Sequence, residues 1–365
     1  MILIIKINEN GAMKKMGKAP TNKHEYAIRT EDELRQLLAA PSDRLTAKIQ
    51  PQLEATGRKW IEKSTLVGLA TCRADGSIEV GLRAAGSSLA SAPDNYQLEI
   101  RNQMDTRYGD EDQNLSENPF AGAIFMLPGE NSTLRANGRA RSTDEKLHLE
   151  VAETFMHCPK AFIRSGLWAG KSAPSPDSYP AEAGTSLGPS SRAFLATSPF
   201  LLIGTSLKDG GADISPRGDP AGFVHILDDH TLLIPDRPGN NIADTFRNLL
   251  ANPQVGLLFL IPGVDCALQI SGTAELTTDP EALEPMAVQE KIPKLAIRVH
   301  VQRIRLSRAN ALTTAGTWTI PTKRPEVPSL GRTLVDQVEP KGRFRALKGR
   351  LIDYGLRQDA KKNLY

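Results

Sequence analysis

Short apolar runs recur along the chain, and each is bounded by Gly, Pro, Asn or Asp. Clear examples are TLVGLAT (65–71), GAIFML (122–127), FLLIGTS (200–206) and VGLLFLI (255–261). Runs of this length with such boundaries are typical of buried β-strands. The stretches ADGS (74–77) and KDGG (208–211) predict hairpin turns, because Asp-Gly readily adopts positive φ angles. Many short antiparallel strands predict a mainly β protein built as small closed barrels.

Two stretches carry a helical spacing of apolar positions instead. In residues 30–62, Thr30 and Glu33 have the spacing of a capping box, which marks the start of a helix. The segment 243–253 places its apolar residues on one helix face and ends at a proline. The sequence therefore predicts a few helices that accompany the strands.

The pattern repeats once along the chain. LATCRADGSIEVGLR (69–83) aligns with IGTSLKDGGADISPR (203–217), and residues 117–143 align with 251–277 at the same offset of 134. The second alignment shares the spacing Asn-Pro-x-x-Gly-x-x-Phe-x-x-Pro-Gly in both copies. A fixed offset without gaps predicts a tandem duplication, with one barrel in each copy.

The stretch between the copies is rich in Pro, Ser, Gly and Ala, as is typical of a linker. Together with the repeat, this composition predicts five segments. They are a flexible N-terminus (1–29), a first barrel domain (30–168), a linker (169–191), a second barrel domain (192–318) and a basic C-terminal tail (319–365).

Charge and cysteine content limit the classes of partner, metal site and compartment to be expected. The net charge is +3, and residues 341–365 hold eight Lys or Arg against two Asp, which predicts a solvated basic helix in this segment. Residues 1–340 therefore carry no excess of positive charge, so nucleic acid is an unlikely partner for them. Three widely spaced cysteines fit neither a disulfide framework nor a metal site. With no membrane span or signal sequence apparent, a cytoplasmic protein without metal is expected.

Two arginines of the second copy suit an anionic ligand. Arg217 ends a predicted strand, and Arg237 lies in a Pro-Gly turn that continues through 239–241. A guanidinium carries forked, permanently charged donors that match phosphate oxygens. The turn exposes backbone N–H groups, and a helix beginning near Ile242 adds positive potential. These residues predict a phosphate site.

The motifs that carry these arginines resemble a known family. SPRGDPAGFVHILDDHTLLIPDRPGN (215–240), followed by LANPQVGLLFLIPG (250–263), is similar to the pyridoxamine 5′-phosphate oxidase-like family of FMN-binding split barrels. The resemblance implies split β-barrels that pair as a dimer and bind FMN in the cleft between them. By match, it implies that Ser215, Arg217 and Asp219 line the flavin and that Arg237 and Asn240 hold its phosphate side, with Asn241 as a further cofactor-binding residue. A basic residue often follows the Asn in the family, whereas this chain has Asn241-Ile242.

The two copies have complementary losses. The family branch supplies a further segment to the cleft from the partner subunit, and the first copy keeps it as HCPKAFIRSGLW (157–168). The second copy has lost its Lys and Arg there, while the first copy has lost the motifs around Arg217 and Arg237. We therefore predict an intrachain pseudo-dimer with one FMN cleft, to which the degenerate first copy adds Lys160, Arg164 and Trp168, and an empty mirror-related cleft.

Two alternatives stay open at this point. A homodimer that exchanges copies between chains would assemble the same residue sets. If residues 157–168 are instead a barrel-closing helix, Trp168 belongs to the core and Lys160 and Arg164 are solvated.

The resemblance implies an FMN-dependent oxidoreductase acting on a small organic substrate, with a reduced nicotinamide or flavin as electron donor. The alternative is non-catalytic binding or transport of a flavin, deazaflavin or haem. The residues identify neither a catalytic acid or base nor the substrate.

Overall fold

A computed structural model describes residues 23–103, 107–169, 174–207, 211–320, 326–338, 342 and 344–365. Within them the chain forms two antiparallel sheets accompanied by short helices. The predicted mainly β fold class is thereby confirmed, and the two sheets pack on each other within one chain. Gly76 in the ADGS turn has a φ of +80°, as a hairpin requires, whereas residues 208–210 of KDGG lie outside the described residues.

The first half of the chain forms one barrel and a strand that joins the other. The strands are β1 (Ala27–Ile28), β2 (Leu66–Cys72), β3 (Ile78–Ala84), β4 (Ala90–Ser91), β5 (Gln97–Arg101), β6 (Arg107–Tyr108), β7 (Phe120–Met126), β8 (Thr133–Ser142) and β9 (Lys146–His157). The helices are α1 (Glu31–Leu37), α2 (Asp43–Thr46), α3 (Ala55–Lys63), α4 (Glu111–Glu117) and α5 (Lys160–Ser165). The sheet order is β4-β5-β9-β8-β7-β2-β3-β6.

The second half repeats this arrangement. Its strands are β10 (Glu182–Gly184), β11 (Phe200–Ser206), β12 (Ala212–Gly218), β13 (His225–Ile226), β14 (Thr231–Pro235), β15 (Gln254–Leu260), β16 (Cys266–Thr277) and β17 (Ala296–Arg308). Its helices are α6 (Pro189–Thr197), α7 (Asp244–Ala251), α8 (Pro280–Leu283), α9 (Asn310–Thr314), α10 (Leu330–Val338) and α11 (Arg345–Lys362). The sheet order is β12-β11-β15-β16-β17-β14-β13, with β1 beside β16 and β10 beside β17.

The duplication extends to single hydrogen bonds. The Asn114 amide donates to Thr71 Oγ1 over 2.9 Å, and at the equivalent positions Asn248 donates to Thr205 Oγ1 over 3.0 Å. Both long hairpins, β8–β9 and β16–β17, carry a β-bulge at the same place in the repeat. The two barrels are therefore copies of one unit, as the sequence predicts.

The largest buried apolar clusters lie inside each barrel and between the barrels. The cluster between them joins β2, β3 and β7 to β11, β12 and β15, with Leu82 and Leu258 among its buried members. Gly204 allows this close approach, because a Cβ there would lie 2.7 Å from Val80 Cγ2 and 2.9 Å from Ala70 Cβ. The interface between the barrels is thus packed like a protein interior.

The helical signals of residues 30–62 correspond to α1, α2 and α3. Thr30 Oγ1 accepts a hydrogen bond from the Glu33 amide, and the Glu33 carboxylate accepts one from the Thr30 amide, both over 3.2 Å. The predicted capping box is therefore present. The helix predicted in 243–253 is α7, which ends at Ala251.

The described part of the predicted flexible N-terminus, residues 23–29, has regular structure. Residues 23–26 form a 3₁₀ turn, and Ala27 of β1 pairs with Thr277 of β16. Strand pairing satisfies backbone groups that a flexible tail would leave to water. The division of the chain into five segments as domains and linkers stays a prediction.

The basic tail packs on the first barrel instead of being wholly solvated. Leu330 and Leu334 of α10 are buried in the core of that barrel, and Ile352 and Leu356 of α11 pack against it. The i, i+4 spacing of these apolar pairs gives each helix one buried face, while the basic residues occupy other faces. Among the described residues, no helix has the length and apolar content needed to cross a membrane.

Candidate functional site

A cavity opens between the barrels, where β12 and the turn between β14 and α7 face β9 and α5. Both halves of the chain line this cavity. Six of the nine predicted binding residues are among its walls: Arg164, Ser215, Arg217, Arg237, Asn240 and Asn241. The sequence therefore located most of a shared cavity, although whether these residues bind a cofactor stays a prediction.

Helix α5 of the first copy reaches the cavity through a close contact with β12. A Cβ at Gly218 would lie 2.2 Å from the Ala161 carbonyl oxygen, so glycine permits the approach. Arg164 Nε donates to the Gly218 carbonyl over 3.0 Å, and its Nη1 donates to Pro238 O over 3.2 Å. Arg164 thus ties the first copy to the motifs of the second.

Arg217 projects from β12 into the cavity. Its guanidinium lies over the Phe246 ring, 5.2 Å from the centroid, and has no hydrogen bond or ion pair within the described part of the chain. Burial lowers the pKa of Arg217, and the charges of Asp236 and Asp213 oppose that shift. Arg217 is partly buried, and removing a cation from water without giving it hydrogen-bond partners is costly. This guanidinium is therefore available to an anionic ligand.

Arg237 and Asp219 form a buried pair at the edge of the cavity. Arg237 Nε lies 2.6 Å from Asp219 Oδ2, and Asp219 is fully buried. Arg237 Nη2 also donates to the Met286 carbonyl over 2.8 Å. Asp219 therefore fixes the orientation of Arg237 and does not itself line the cavity, which differs from the direct flavin contact predicted for it.

Lys160 and Trp168 also lie outside the cavity walls, against the prediction. Lys160 is one helical turn before Arg164 in α5, where its ammonium pairs with Asp359 over 2.7 Å. Trp168 follows Gly166, whose φ of +60° ends α5 and turns the chain inward. Its indole N–H then donates to the Glu130 carbonyl over 2.8 Å within the core between the barrels. The barrel-closing alternative thus describes Trp168 correctly, but Lys160 is buried, not solvated.

The turn before α7 has an unusual backbone. Asn241 and Ala243 have φ angles of +57° and +65°, although neither is glycine. Arg35 of α1 holds this turn from outside, donating to Asn241 O over 2.9 Å and to Ile242 O over 3.1 Å. Such strain persists where surrounding contacts enforce it, commonly at binding sites. Sequence reasoning missed Arg35, because more than two hundred positions separate it from the turn.

Two further residues of the first copy, Arg135 and His157, line the cavity and were not predicted. Arg135 is buried and pairs with Glu153, Asp213 and Asp244, the last over 3.1 Å. Burial and the charges of Arg135 and Arg217 hold the pKa of His157 well below its usual value, so the imidazole is neutral. Arg135 replaces Gln269 in the repeat, and that charge in an otherwise buried strand was the available signal.

The first copy has an arginine at the position equivalent to Arg217, but its contacts differ. Arg83, the equivalent of Arg217, is fully buried, and its Nη1 lies 2.6 Å from the Glu111 carboxylate. Its Nε and Nη2 donate to Asn102 Oδ1 over 3.2 and 3.0 Å. Glu111 stands at the first residue of α4, where the second copy has Thr245 in the first turn of α7. A carboxylate of the chain neutralises the first arginine.

Two glycines make room for that carboxylate. A Cβ at Gly81 or Gly109 would lie 1.4 or 2.0 Å from Glu111 Oε1. The second copy has Ser215 and Ala243 at these positions and no acidic residue at 245. The first copy therefore contains a built-in anion, and the second copy has a cavity in its place.

The comparison with known proteins also distinguishes the second copy from the first. The family model described as pyridoxamine 5′-phosphate oxidase matches residues 187–308, which cover the second barrel. No curated protein matches the chain.

Solved structures similar to the chain match about one barrel each. HupZ from Group A Streptococcus is 19% identical with a TM-score of 0.28, over 32% of this chain and 90% of that one. A proposed pyridoxamine 5′-phosphate oxidase from Lactobacillus delbrueckii is 15% identical with a TM-score of 0.28, over 33% and 94%. An FAD binding protein from Mycobacterium smegmatis is 17% identical with a TM-score of 0.24, over 34% and 97%.

The family match covers the half that carries Arg217, Arg237 and the turn before α7, and these are the motifs on which the resemblance was based. Residues 187–308, which form the second barrel, match the pyridoxamine 5′-phosphate oxidase family model, in agreement with the resemblance of those motifs.

Proposed function

We propose that the chain binds one FMN in the cavity between its barrels and acts as an FMN-dependent oxidoreductase on a small organic substrate. The phosphate lies against Arg217 and the N-terminus of α7 in this proposal. The turn at Asn240 and Asn241 adds backbone donors, and the helix end adds positive potential. These residues fit a phosphate group by charge and by the kind of donors they offer.

One observation carries the proposal. Equivalent arginines in the two copies differ in their partners: Arg83 is neutralised by Glu111, whereas Arg217 has no hydrogen-bonded or ion-paired partner in the described residues. A fold that keeps a partly buried guanidinium unpaired gains from an external anion. Asp236 also lines the cavity, and its charge opposes the lowering of the Arg217 pKa, but no hydrogen bond or ion pair joins these two described side chains.

The remaining residues support binding and orientation. FMN, when bound, supplies the redox chemistry, and the protein supplies position and electrostatics. Arg237 is held by Asp219, and Arg164 by the Gly218 and Pro238 carbonyls, so both cations face the cleft in fixed orientations. The loop between β16 and β17 reaches the site through Met286, and we assign the substrate-facing wall to it.

Binding without turnover is the second candidate. Among the described cavity-lining residues, His157 is neutral, and the carboxylate of Asp244 is paired with Arg135. This leaves few groups to transfer a proton, which favours a flavin-binding or carrier role. Oxidation of a reduced nicotinamide by the FMN-loaded protein with an added acceptor would separate an enzyme from a carrier. The cytoplasmic location and the electron donor stay predictions.

The test is a titration of the purified full-length protein with FMN, followed by quenching of flavin fluorescence. We expect one FMN per chain. Arg217→Ala should weaken binding about tenfold to a hundredfold, because a charge-assisted hydrogen bond contributes roughly 1.5–3 kcal/mol. Arg303→Ala is the matched control, since it removes a half-exposed cation beside the mirror-related cleft. Absence of FMN binding, or equal losses in both variants, would refute the proposed site.

A further inference from the structure

The segment 359–365, which follows the main body of α11, lies across one half of the proposed cofactor cleft. Lys160 Nζ pairs with Asp359 over 2.7 Å and donates to the Asn363 carbonyl over 2.9 Å. Arg164 Nη1 donates to the Leu364 carbonyl over 2.9 Å. Both cations that the first copy was predicted to offer the flavin are thus engaged by this segment.

The last residue of the segment contacts the second copy. The Tyr365 ring faces the Arg237 guanidinium, with 5.8 Å between the guanidinium carbon and the ring centroid. Lys291 Nζ donates to the Tyr365 carbonyl over 2.6 Å. Burial and the neighbouring Asp219 carboxylate raise the pKa of Tyr365, so its hydroxyl stays protonated. An aromatic ring of the chain therefore lies on the same arginine that the proposed flavin would meet.

The two halves of the cleft differ in what covers them. Arg217, at the phosphate half, has no hydrogen-bond partner in the described residues, whereas Lys160, Arg164 and Arg237 all contact 359–365. The cavity that remains has a volume of about 100 Å³. Pockets that enclose a whole drug-sized ligand measure roughly 300–1,000 Å³. The space left accepts a phosphate but not an isoalloxazine ring.

We infer that segment 359–365 is an intrachain competitor for the ring half of the cofactor site, so that FMN binds fully only when this segment leaves. The inference rests on the proposed function, since it concerns access to that same cleft. It makes the apparent FMN affinity depend on the fraction of molecules in which the segment is displaced. The phosphate half stays accessible in both states.

The first test compares FMN affinity in three variants with that of the full chain. They are a chain ending at Gln358, Tyr365→Ala, and the matched control Tyr354→Ala, which removes a largely exposed tyrosine from the same helix. We expect binding at least about tenfold tighter in the shortened chain, a smaller gain in Tyr365→Ala and no change in Tyr354→Ala. Melting temperatures establish that each variant is folded.

The outcomes separate this inference from the proposed function. Equal or weaker FMN binding by the folded shortened chain overturns the competition while the FMN site stands. If neither the full nor the shortened chain binds FMN, the proposed function fails, and the competition with it.

Hydrogen exchange of the amides of 360–365 gives a second, independent readout. In the full chain, FMN should accelerate their exchange, because the segment is displaced, and inorganic phosphate should leave it unchanged. Slower exchange with FMN would mean that the segment closes over the cofactor, and the inference would be wrong.

Discussion

At the scale of single residues, the site depends on how the two copies treat one arginine. Arg83 and Arg217 occupy equivalent strand positions, yet the first has an ion pair 2.6 Å long with Glu111 and the second faces a cavity. The difference resides in three neighbouring positions, where Gly81, Gly109 and Glu111 correspond to Ser215, Ala243 and Thr245. These three differences thus determine whether the arginine pairs with a carboxylate of the chain or faces a cavity that an external anion could enter.

This correspondence predicts that the internal anion can be transplanted. In the triple variant Ser215→Gly/Ala243→Gly/Thr245→Glu, the new carboxylate should pair with Arg217 and weaken FMN binding about tenfold to a hundredfold. The double variant Ser215→Gly/Ala243→Gly is the control, because it makes the same space without the charge. Fluorescence titration with FMN measures both. Comparable FMN affinity in the triple and double variants would mean that the phosphate does not use Arg217.

At the scale of elements, local sequence patterns and the repeat together made most of the fold predictable from the sequence. Strand runs bounded by turn residues, the capping box at Thr30 and the helix at 243–253 depend on local chemistry, which the sequence displays directly. Contacts that depend on tertiary packing could not be predicted from the sequence in the same way. The turn at Gly166 directs Trp168 into the core, and α11 brings 359–365 onto the cleft, and neither follows from a local pattern.

Helix α1 illustrates a contribution that sequence could not indicate. Its Arg35 donates to two carbonyls of the turn before α7 and so holds that turn in a conformation with positive φ at Asn241 and Ala243. We predict that Arg35 is a positioning residue for the anion site, which it reaches through the backbone of the turn.

The variant Arg35→Gln should weaken FMN binding about threefold to tenfold, because the loss of roughly 1 kcal/mol per hydrogen bond loosens the turn. Global stability should change little, since Arg35 is partly exposed. Glu31→Gln is the control: it removes the exposed ion pairs of Arg35 and Arg247, and such pairs contribute about 0–1 kcal/mol. An unchanged FMN dissociation constant in Arg35→Gln, measured alongside thermal unfolding, would exclude the positioning role.

At the scale of the whole molecule, the interface between the barrels is a packed core that also forms the proposed cofactor cleft. The second barrel supplies Arg217 and Arg237, while Arg135 and Arg164 come from the first. A pair of second barrels would offer Gln269 and Thr314 at the positions of Arg135 and Arg164, and therefore lacks those cations. In the proposed function, complementary loss in the two copies therefore makes each half depend on the other for one competent cleft.

This dependence predicts the behaviour of the second half expressed alone as residues 174–358, which keeps α10 and most of α11 and lacks segment 359–365. Its face around Leu202 and Leu258, buried in the intact chain, would be exposed, so the fragment should self-associate. It should bind FMN at least about tenfold more weakly than the chain ending at Gln358, since charge-assisted contacts are lost. Co-expression with residues 1–173 should restore a complex of both fragments and the FMN affinity of the chain ending at Gln358, measured by light scattering and flavin fluorescence. The same affinity in the isolated second half would show that one barrel, alone or paired with itself, is sufficient, and would remove the first copy from the site.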